Sequence, residues 1–174
     1  MTESKYIWMD GEFVNWHDAK VHVLSHTLHY GNGAIEGTKA YKTVDGRCAI
    51  FKLNEHTQRL LNSSKMTLMN VPFTLEELNK AQIELLQKNE LFDGAYIRPL
   101  VYLGYGVMGL YHKEAPVKVS VSAWEWGAYL GEEGLKKGVR VKISSMTRTP
   151  NTSGMGKAKA VANYLNSQMA KYEA

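Results

Sequence analysis

Val117-Lys-Val-Ser-Val-Ser-Ala-Trp124 is the stretch on which the fold turns. Val117, Val119, Val121 and Ala123 alternate with Lys118, Ser120, Ser122 and Trp124. A period of two lays one apolar and one polar face along a β-strand, here expected to run on to Trp126. Upstream, residues 95–103 form a second strand of the same kind. Before it come two helical patterns. In the first, Asn54 reads as the N-cap, and Leu60, Leu61, Ser64 and Leu68 recur at helical spacing. The second opens on Thr74-Leu-Glu-Glu77, a capping box, and continues through Leu75, Leu78, Ile83, Leu85 and Leu86 to about Asn89. Further out, Asp10-Gly11 sits between apolar runs and marks a type I′ hairpin, and Asp45-Gly46 marks another before a return strand at Ala49-Ile-Phe51. Val21–Leu24 reads as strand followed by turn. The order is strands, two helices, two strands, which predicts an α+β fold: a small N-terminal domain of mixed sheet with two helices over residues 1–126. A glycine-bearing connector follows at 127–137. One strand from Gly138 to Ile143 and one helix from about Lys157 then open a second domain, 138–174, which is incomplete because one strand and one helix cannot bury a core.

Composition narrows the class. The 174 residues suggest about one domain or two small ones. With 44% hydrophobic and 22% charged residues the chain is no disordered segment. The glycines at 104, 106 and 109 break the most apolar run, so no membrane helix is expected. Met-Thr-Glu-Ser-Lys5 has no apolar signal core, and Cys48 is alone, which together suit a reducing cytoplasm. Twenty-one Lys plus Arg against 17 Asp plus Glu give a charge of +4. The cations are spread rather than striped, so nucleic acid is not an expected partner. The mild positive balance suits both an enzyme of anionic metabolites and a plain soluble surface.

Several short motifs fail on inspection. His22, His26 and His29 would align on a helix, but the segment reads as strand and turn with no carboxylate or cysteine to complete a metal set. Gly31-Asn-Gly33-Ala-Ile-Glu-Gly37 is one residue off the dinucleotide fingerprint. Gly154-Met-Gly-Lys157 puts Ala158 where a P-loop needs Ser or Thr. No Gly-x-Ser-x-Gly elbow occurs.

Three features carry chemistry. Lys159 lies just inside the expected start of the last helix, where the dipole favours a neutral, nucleophilic amine. Taken alone, it reads more plainly as a solvated surface lysine. Arg59 falls in the first turns of a helix, where it suits a bidentate phosphate contact or, more plainly, an ion pair with Glu55. Tyr96 and Arg98 share one face of a strand and suit a carboxylate, or simply a half-exposed sheet face.

Longer stretches link these features. They are Asp18-Ala-Lys-Val-His-Val-Leu-Ser-His-Thr-Leu-His-Tyr-Gly31, Glu36-Gly37, Glu55-His-x-x-Arg-Leu60, Ala95-Tyr-Ile-Arg-Pro99, Trp126-Gly-Ala-Tyr-Leu-Gly131, Lys157-Ala-Lys-Ala160 and Asn163-Tyr-Leu-Asn-Ser167. In this order and spacing the chain resembles the branched-chain aminotransferases, within the fold type IV family of pyridoxal-phosphate enzymes. The resemblance implies that pyridoxal 5'-phosphate is held as an imine on Lys159, which also shuttles the substrate proton. It implies that Arg59 binds the cofactor phosphate and Tyr164 the phenolic oxygen. Tyr96 and Arg98 would take substrate carboxylate, and Tyr30, Ile35, Gly37, Lys39, Trp126 and Tyr129 would shape the side-chain pocket. No metal is implied. The implied substrates are Leu, Ile and Val with glutamate and the matching 2-oxo acids, in amino-acid biosynthesis or breakdown. The implied assembly is a homodimer or higher homo-oligomer.

An apolar pocket with a cation at its rim can take both a branched side chain and the carboxylate of glutamate, since an unpaired buried carboxylate is costly. Ile35 stands where the family commonly has an aromatic residue and Lys39 where it has arginine, which keeps charge but loses the guanidinium fork. The alternatives within the fold are a D-amino acid aminotransferase or an aminodeoxychorismate lyase. From another class, the chain could be an inactive fragment that keeps the small-domain fold. Family members continue well past this length, and after Lys159 the only acidic residue here is Glu173. The carboxylate that should face the pyridine nitrogen is therefore expected downstream, and this chain alone is expected to catalyse poorly.

Overall fold

The computed structural model describes residues 2–127, 131–150, 152 and 156–174. The first hairpin forms where Asp10-Gly11 demands it. β1 (Tyr6–Met9) and β2 (Glu12–Asn15) pair antiparallel, with Asp10 at φ 50 and Gly11 at φ 106, the positive values a type I′ turn requires. Val21–Leu24 is irregular rather than a strand. It leads into α1 (His26–Tyr30), closed by Gly31 in the left-handed region. β3 (Gly33–Ile35), β4 (Thr38–Lys42) and β5 (Cys48–Ile50) follow, then α2 (Leu53–Met66) and α3 (Leu75–Lys88). β6 (Gly94–Leu103) and β7 (Val117–Trp124) complete the sheet.

The strand order is β2-β1-β7-β6-β4-β5, with β3 also on β6. Every pairing among the described residues is antiparallel, where a mixed sheet was expected. The consecutive pairs β1–β2 and β4–β5 are joined by short connections, which admit only antiparallel neighbours. The pair β6–β7, and the pairs β1–β7, β3–β6 and β4–β6 whose strands lie far apart in the chain, run antiparallel as well. β3 and β4 share one register on β6, Ile35 opposite Leu100 and Thr38 opposite Ile97. The interruption between them lies at Glu36-Gly37. Glu36 donates its amide to the Pro99 carbonyl at 3.0 Å, but Pro99 has no N–H to return the bond.

α2 and α3 cover one face of the sheet. Leu60, Leu78 and Leu85 meet Ile97, Val101, Val119 and Val121 in the core. β7 buries Val119, Val121 and Ala123 there, as its alternation predicts. α3 carries the full capping box at Thr74 and Glu77 and ends at Asn89. Its buried side includes Ala81 and Gln82, whereas Ile83 points outward. α2 starts earlier than a cap at Asn54 would allow. Lys52 takes φ 53, so the helix begins at Leu53, and Asn54 instead accepts from Asn79 Nδ2 across the helix pair at 2.7 Å. Leu68 lies past the end of α2 at φ 59.

Two expectations for the last part fail, the strand at 138–143 and the helix start near Lys157. The connector contains a short helix, α4 (Gly131–Lys137). Residues 138–143 form no strand: Val141 and Ile143 are almost fully exposed and have no strand beside them to hydrogen-bond among the described residues. The last helix, α5 (Tyr164–Glu173), begins after a 3-10 turn at Val161–Asn163, so Lys159 precedes it rather than lying inside it. The reason is a competing partner. Ala160 bridges Ala34, and the Ile35 amide donates to the Lys159 carbonyl at 3.0 Å, which keeps this segment extended along β3. No described helix is long and apolar enough to cross a membrane.

Candidate active site

The Lys159 backbone is held from two sides. Its carbonyl is tied to β3, and its amide donates to the Ser63 hydroxyl on α2 at 3.0 Å. Asn163 Nδ2 donates to the Ala158 carbonyl at 3.1 Å and closes the turn behind it. The close approach of this segment explains two glycines: a Cβ on Gly31 would lie 3.2 Å from Ala162 Cβ, and one on Gly33 3.1 Å from Val161 Cγ2. From this anchored backbone the Lys159 amine donates to the Tyr164 hydroxyl, five residues on.

Lys159, Tyr164 and Arg59 line one cavity of about 560 Å³, together with Arg148, Lys157 and Asn163. None of the described lining residues is acidic, so the cavity has the charge of an anion site. Arg59 does not pair with Glu55, which turns to Lys52 at 2.7 Å. Its Nε and one terminal nitrogen donate to Glu36 at 2.7 and 2.8 Å. That bidentate pair raises the Arg59 pKa further, chiefly through the hydrogen bond, and keeps the guanidinium charged.

The other face of the sheet gathers the second group. One Arg98 terminal nitrogen donates to the Tyr96 hydroxyl at 2.9 Å, and the guanidinium lies 5.2 Å from the Tyr96 ring centroid. Trp124 and Trp126 stand 5.1 and 4.7 Å from the same ring, Trp126 edge-on. Arg98 Nε is buried with no hydrogen-bond partner, a donor suited to a carboxylate. Gly37 lies against this group: a Cβ there would meet the Tyr96 hydroxyl at 2.0 Å. Its smallness therefore makes room for Tyr96. Lys39 and Trp126 line a separate opening on this side. Tyr30 stands apart, stacked 4.4 Å from His26 and accepting the Gly109 amide at 3.1 Å.

The structure thus unites Arg59, Lys159 and Tyr164 in one cavity, and Tyr96, Arg98, Gly37 and Trp126 in a second cluster. Ile35 links to the first through its backbone, which binds Lys159. Tyr129 lies outside the described residues. The three histidines diverge onto separate backbone groups, His22 accepting from the Leu24 amide, His26 meeting the Gly109 carbonyl and His29 the Val23 carbonyl. Sequence reasoning missed Glu36, His56 and Ser63 as neighbours of the cavity. His56 and Arg59 at a spacing of three on one helix face were a usable signal, but nothing marked Glu36 as their partner.

The profile of the class IV amino-transferases matches residues 33–174, and the chain belongs to that family. Within it, the chain is similar to the branched-chain-amino-acid aminotransferase of Pseudomonas aeruginosa, 46% identical over 168 residues that cover 97% of this chain and 54% of that protein. The Escherichia coli K12 enzyme of the same name is 43% identical over 178 residues, covering 100% and 57%. Among solved structures, a T.th. branched-chain amino acid aminotransferase with pyridoxamine 5'-phosphate superposes at a TM-score of 0.93 with 46% identity, over 100% of this chain and 57% of that one. The same enzyme complexed with N-(5'-phosphopyridoxyl)-L-glutamate gives 0.90 at 43% identity, over 100% and 56%. The chain spans about half the length of the curated relatives it matches.

Proposed function

We propose that the protein is a pyridoxal-phosphate-dependent aminotransferase that moves an amino group between Leu, Ile or Val and 2-oxoglutarate. The observation that carries this reading is the cation-lined cavity in which an anchored lysine amine, a phenol and an arginine converge. These residues fit the cofactor: cations for a phosphate, a phenol for its ring oxygen and an amine for its aldehyde carbon. When bound, the cofactor supplies the electron sink. The chain's residues do the rest. Arg59 holds the phosphate with the guanidinium edge that Glu36 leaves open. Lys159 Nζ takes and returns the proton on the substrate Cα, and the Tyr164 hydroxyl fixes where that amine points. Arg98 and Tyr96 bind a carboxylate, and Lys39 places a second cation at the rim for glutamate. Trp126 supplies an apolar wall for a branched side chain.

Residues 1–126 form the small domain in this reading, 127–137 the connector and 138–174 the start of the cofactor-binding domain. We further propose a cytoplasmic homodimer. Exposed apolar side chains around α1 and the β6–β7 loop support the dimer, with Val23 71% and Leu110 87% exposed.

An absorbance titration tests the proposal. Purified protein with pyridoxal 5'-phosphate should develop a visible band that Lys159→Ala abolishes, and borohydride should fix the cofactor to Lys159. A panel of L-leucine, D-alanine and aminodeoxychorismate should favour L-leucine. A colourless protein, or a band that survives Lys159→Ala, refutes the reading.

A further inference from the structure

We propose that Glu36 is the positioning residue for the phosphate contact: it aims the Arg59 guanidinium into the cavity, an inference that rests on the reading of Arg59 just given. Glu36 is only 1% exposed, sitting beneath the sheet edge where Pro99 interrupts the β3–β4 ladder. A carboxylate so buried must find donors, and among the described residues three reach it. Arg59 supplies Nε and Nη2 at 2.7 and 2.8 Å, and His56 supplies Nδ1 at 2.6 Å. Since the carboxylate accepts from both groups, His56 carries its proton on Nδ1. The 3.3 Å approach between His56 Nδ1 and Arg59 Nη2 is then two donors gathered by one oxygen, Oε2.

The arrangement determines what Arg59 can offer. A guanidinium has five N–H donors in a rigid plane, and Glu36 takes two along one edge. The remaining three, one on Nη2 and two on Nη1, lie in the same plane at its end and far edge, and Arg59 lines the cation-rich cavity. The Arg59 side chain is 55% exposed, so without the buried anchor it would rotate freely in water. The next residue, Gly37, lies against the Tyr96 hydroxyl, so the anchor for one anion contact and the spacer for the other are adjacent in sequence.

Two physical effects oppose each other here, and their signs differ. Deleting a negative charge beside the guanidinium would strengthen attraction for a phosphate by simple Coulomb logic. Losing two charge-assisted hydrogen bonds would disorder the arginine and weaken it. Screening at a half-exposed guanidinium reduces the first effect, and bidentate orientation is what phosphate recognition uses, so orientation prevails.

The test compares pyridoxal 5'-phosphate with pyridoxal, which lacks the phosphate, by absorbance titration of the wild type and Glu36→Gln. The variant should lose about tenfold or more in affinity for pyridoxal 5'-phosphate, while its affinity for pyridoxal stays near wild type. Equal losses for both ligands would mean a merely structural role and overturn the inference, as would an unchanged or tighter phosphate contact. If Glu36→Gln shows no cooperative melt, Glu36→Asp is measured instead. It keeps the charge but withdraws it by one methylene, and an unchanged ratio of the two affinities there overturns the inference equally. A wild-type protein that binds neither ligand through Lys159 defeats the functional reading itself, a result distinct from any behaviour of the variants.

Discussion

Replacing Gly37 with alanine should disturb the Tyr96 face of the sheet through one contact. Gly37 does not need a left-handed backbone, so the substitution carries no conformational penalty of its own. The added methyl would lie 2.0 Å from the Tyr96 hydroxyl and 2.8 Å from its ring carbon Cζ. The phenol must retreat by about 1.4 Å to reach ordinary contact. It is not free to do so, because Trp124 and Trp126 pack at 5.1 and 4.7 Å and Arg98 donates to its oxygen at 2.9 Å. Overpacking of this kind costs about 1–3 kcal/mol. Weakening the bond from Arg98 adds roughly 1 kcal/mol, discounted because the pair is only partly buried. A total of about 2–4 kcal/mol lowers the melting temperature of a chain this size by roughly 5–10 °C. The assay is a double-mutant cycle in thermal denaturation, with Gly37→Ala measured alone and on a Tyr96→Ala background. On that background the methyl has room, and the substitution should cost less than about 0.5 kcal/mol. An equal cost in both backgrounds would be incompatible with this contact and place the strain elsewhere.

Two further outcomes follow from contacts away from the cavity. The Glu77 carboxylate accepts the Thr74 amide at 2.7 Å, and this hydrogen bond, with that of the Thr74 side chain, holds its pKa below the ordinary value of 4.5. A depressed carboxylate contributes stability that is present above 4.5 and is lost as the pH falls through its folded-state pKa. The urea midpoint should therefore drop less steeply below pH 4.5 in Glu77→Gln, and parallel curves would contradict this. Asn89 accepts the Lys5 and Tyr6 amides at 2.9 and 2.8 Å and donates to the Tyr6 carbonyl at 3.0 Å. Asn89→Ala strands all three groups and should cost about 2–3 kcal/mol, with faster hydrogen exchange at Lys5 and Tyr6. Unchanged exchange at those amides would dissociate the side chain from the start of β1.

How far the molecule could be read beforehand depends on where each residue's partner lies. The capping box at Thr74 and the hairpin at Asp10-Gly11 are local, since every group they satisfy is within a few residues, and both form as read. The alternation of β7 predicts its buried face for the same reason. Lys159 shows where local reading stops. Its helical setting is sound within its own segment, but β3, far upstream, pairs with that segment and draws it straight. Residues 138–143 show the converse, a strand pattern with no neighbour to bond among the described residues. In the candidate site, Arg59, Lys159 and Tyr164 were legible through resemblance and do share a cavity. Glu36 was not, because nothing in its own surroundings in sequence shows that a buried carboxylate will meet an arginine on a later helix.

The interrupted strand from Gly33 to Lys42 constrains how this chain can change by insertion or deletion. Residues at 34, 36, 38 and 40 are buried toward the helices, while 35, 37 and 39 turn to the opposite face. One side serves Arg59 and the other Tyr96. A single residue gained or lost between Gly33 and Thr38 would exchange the two sides, presenting Glu36 to the aromatic cluster and a glycine to the arginine. No point substitution could undo that swap. Lineages of this chain should therefore vary in length at the Asp45-Gly46 turn, where a Cβ on Gly46 would meet nothing, and keep the count from Gly33 to Thr38 constant.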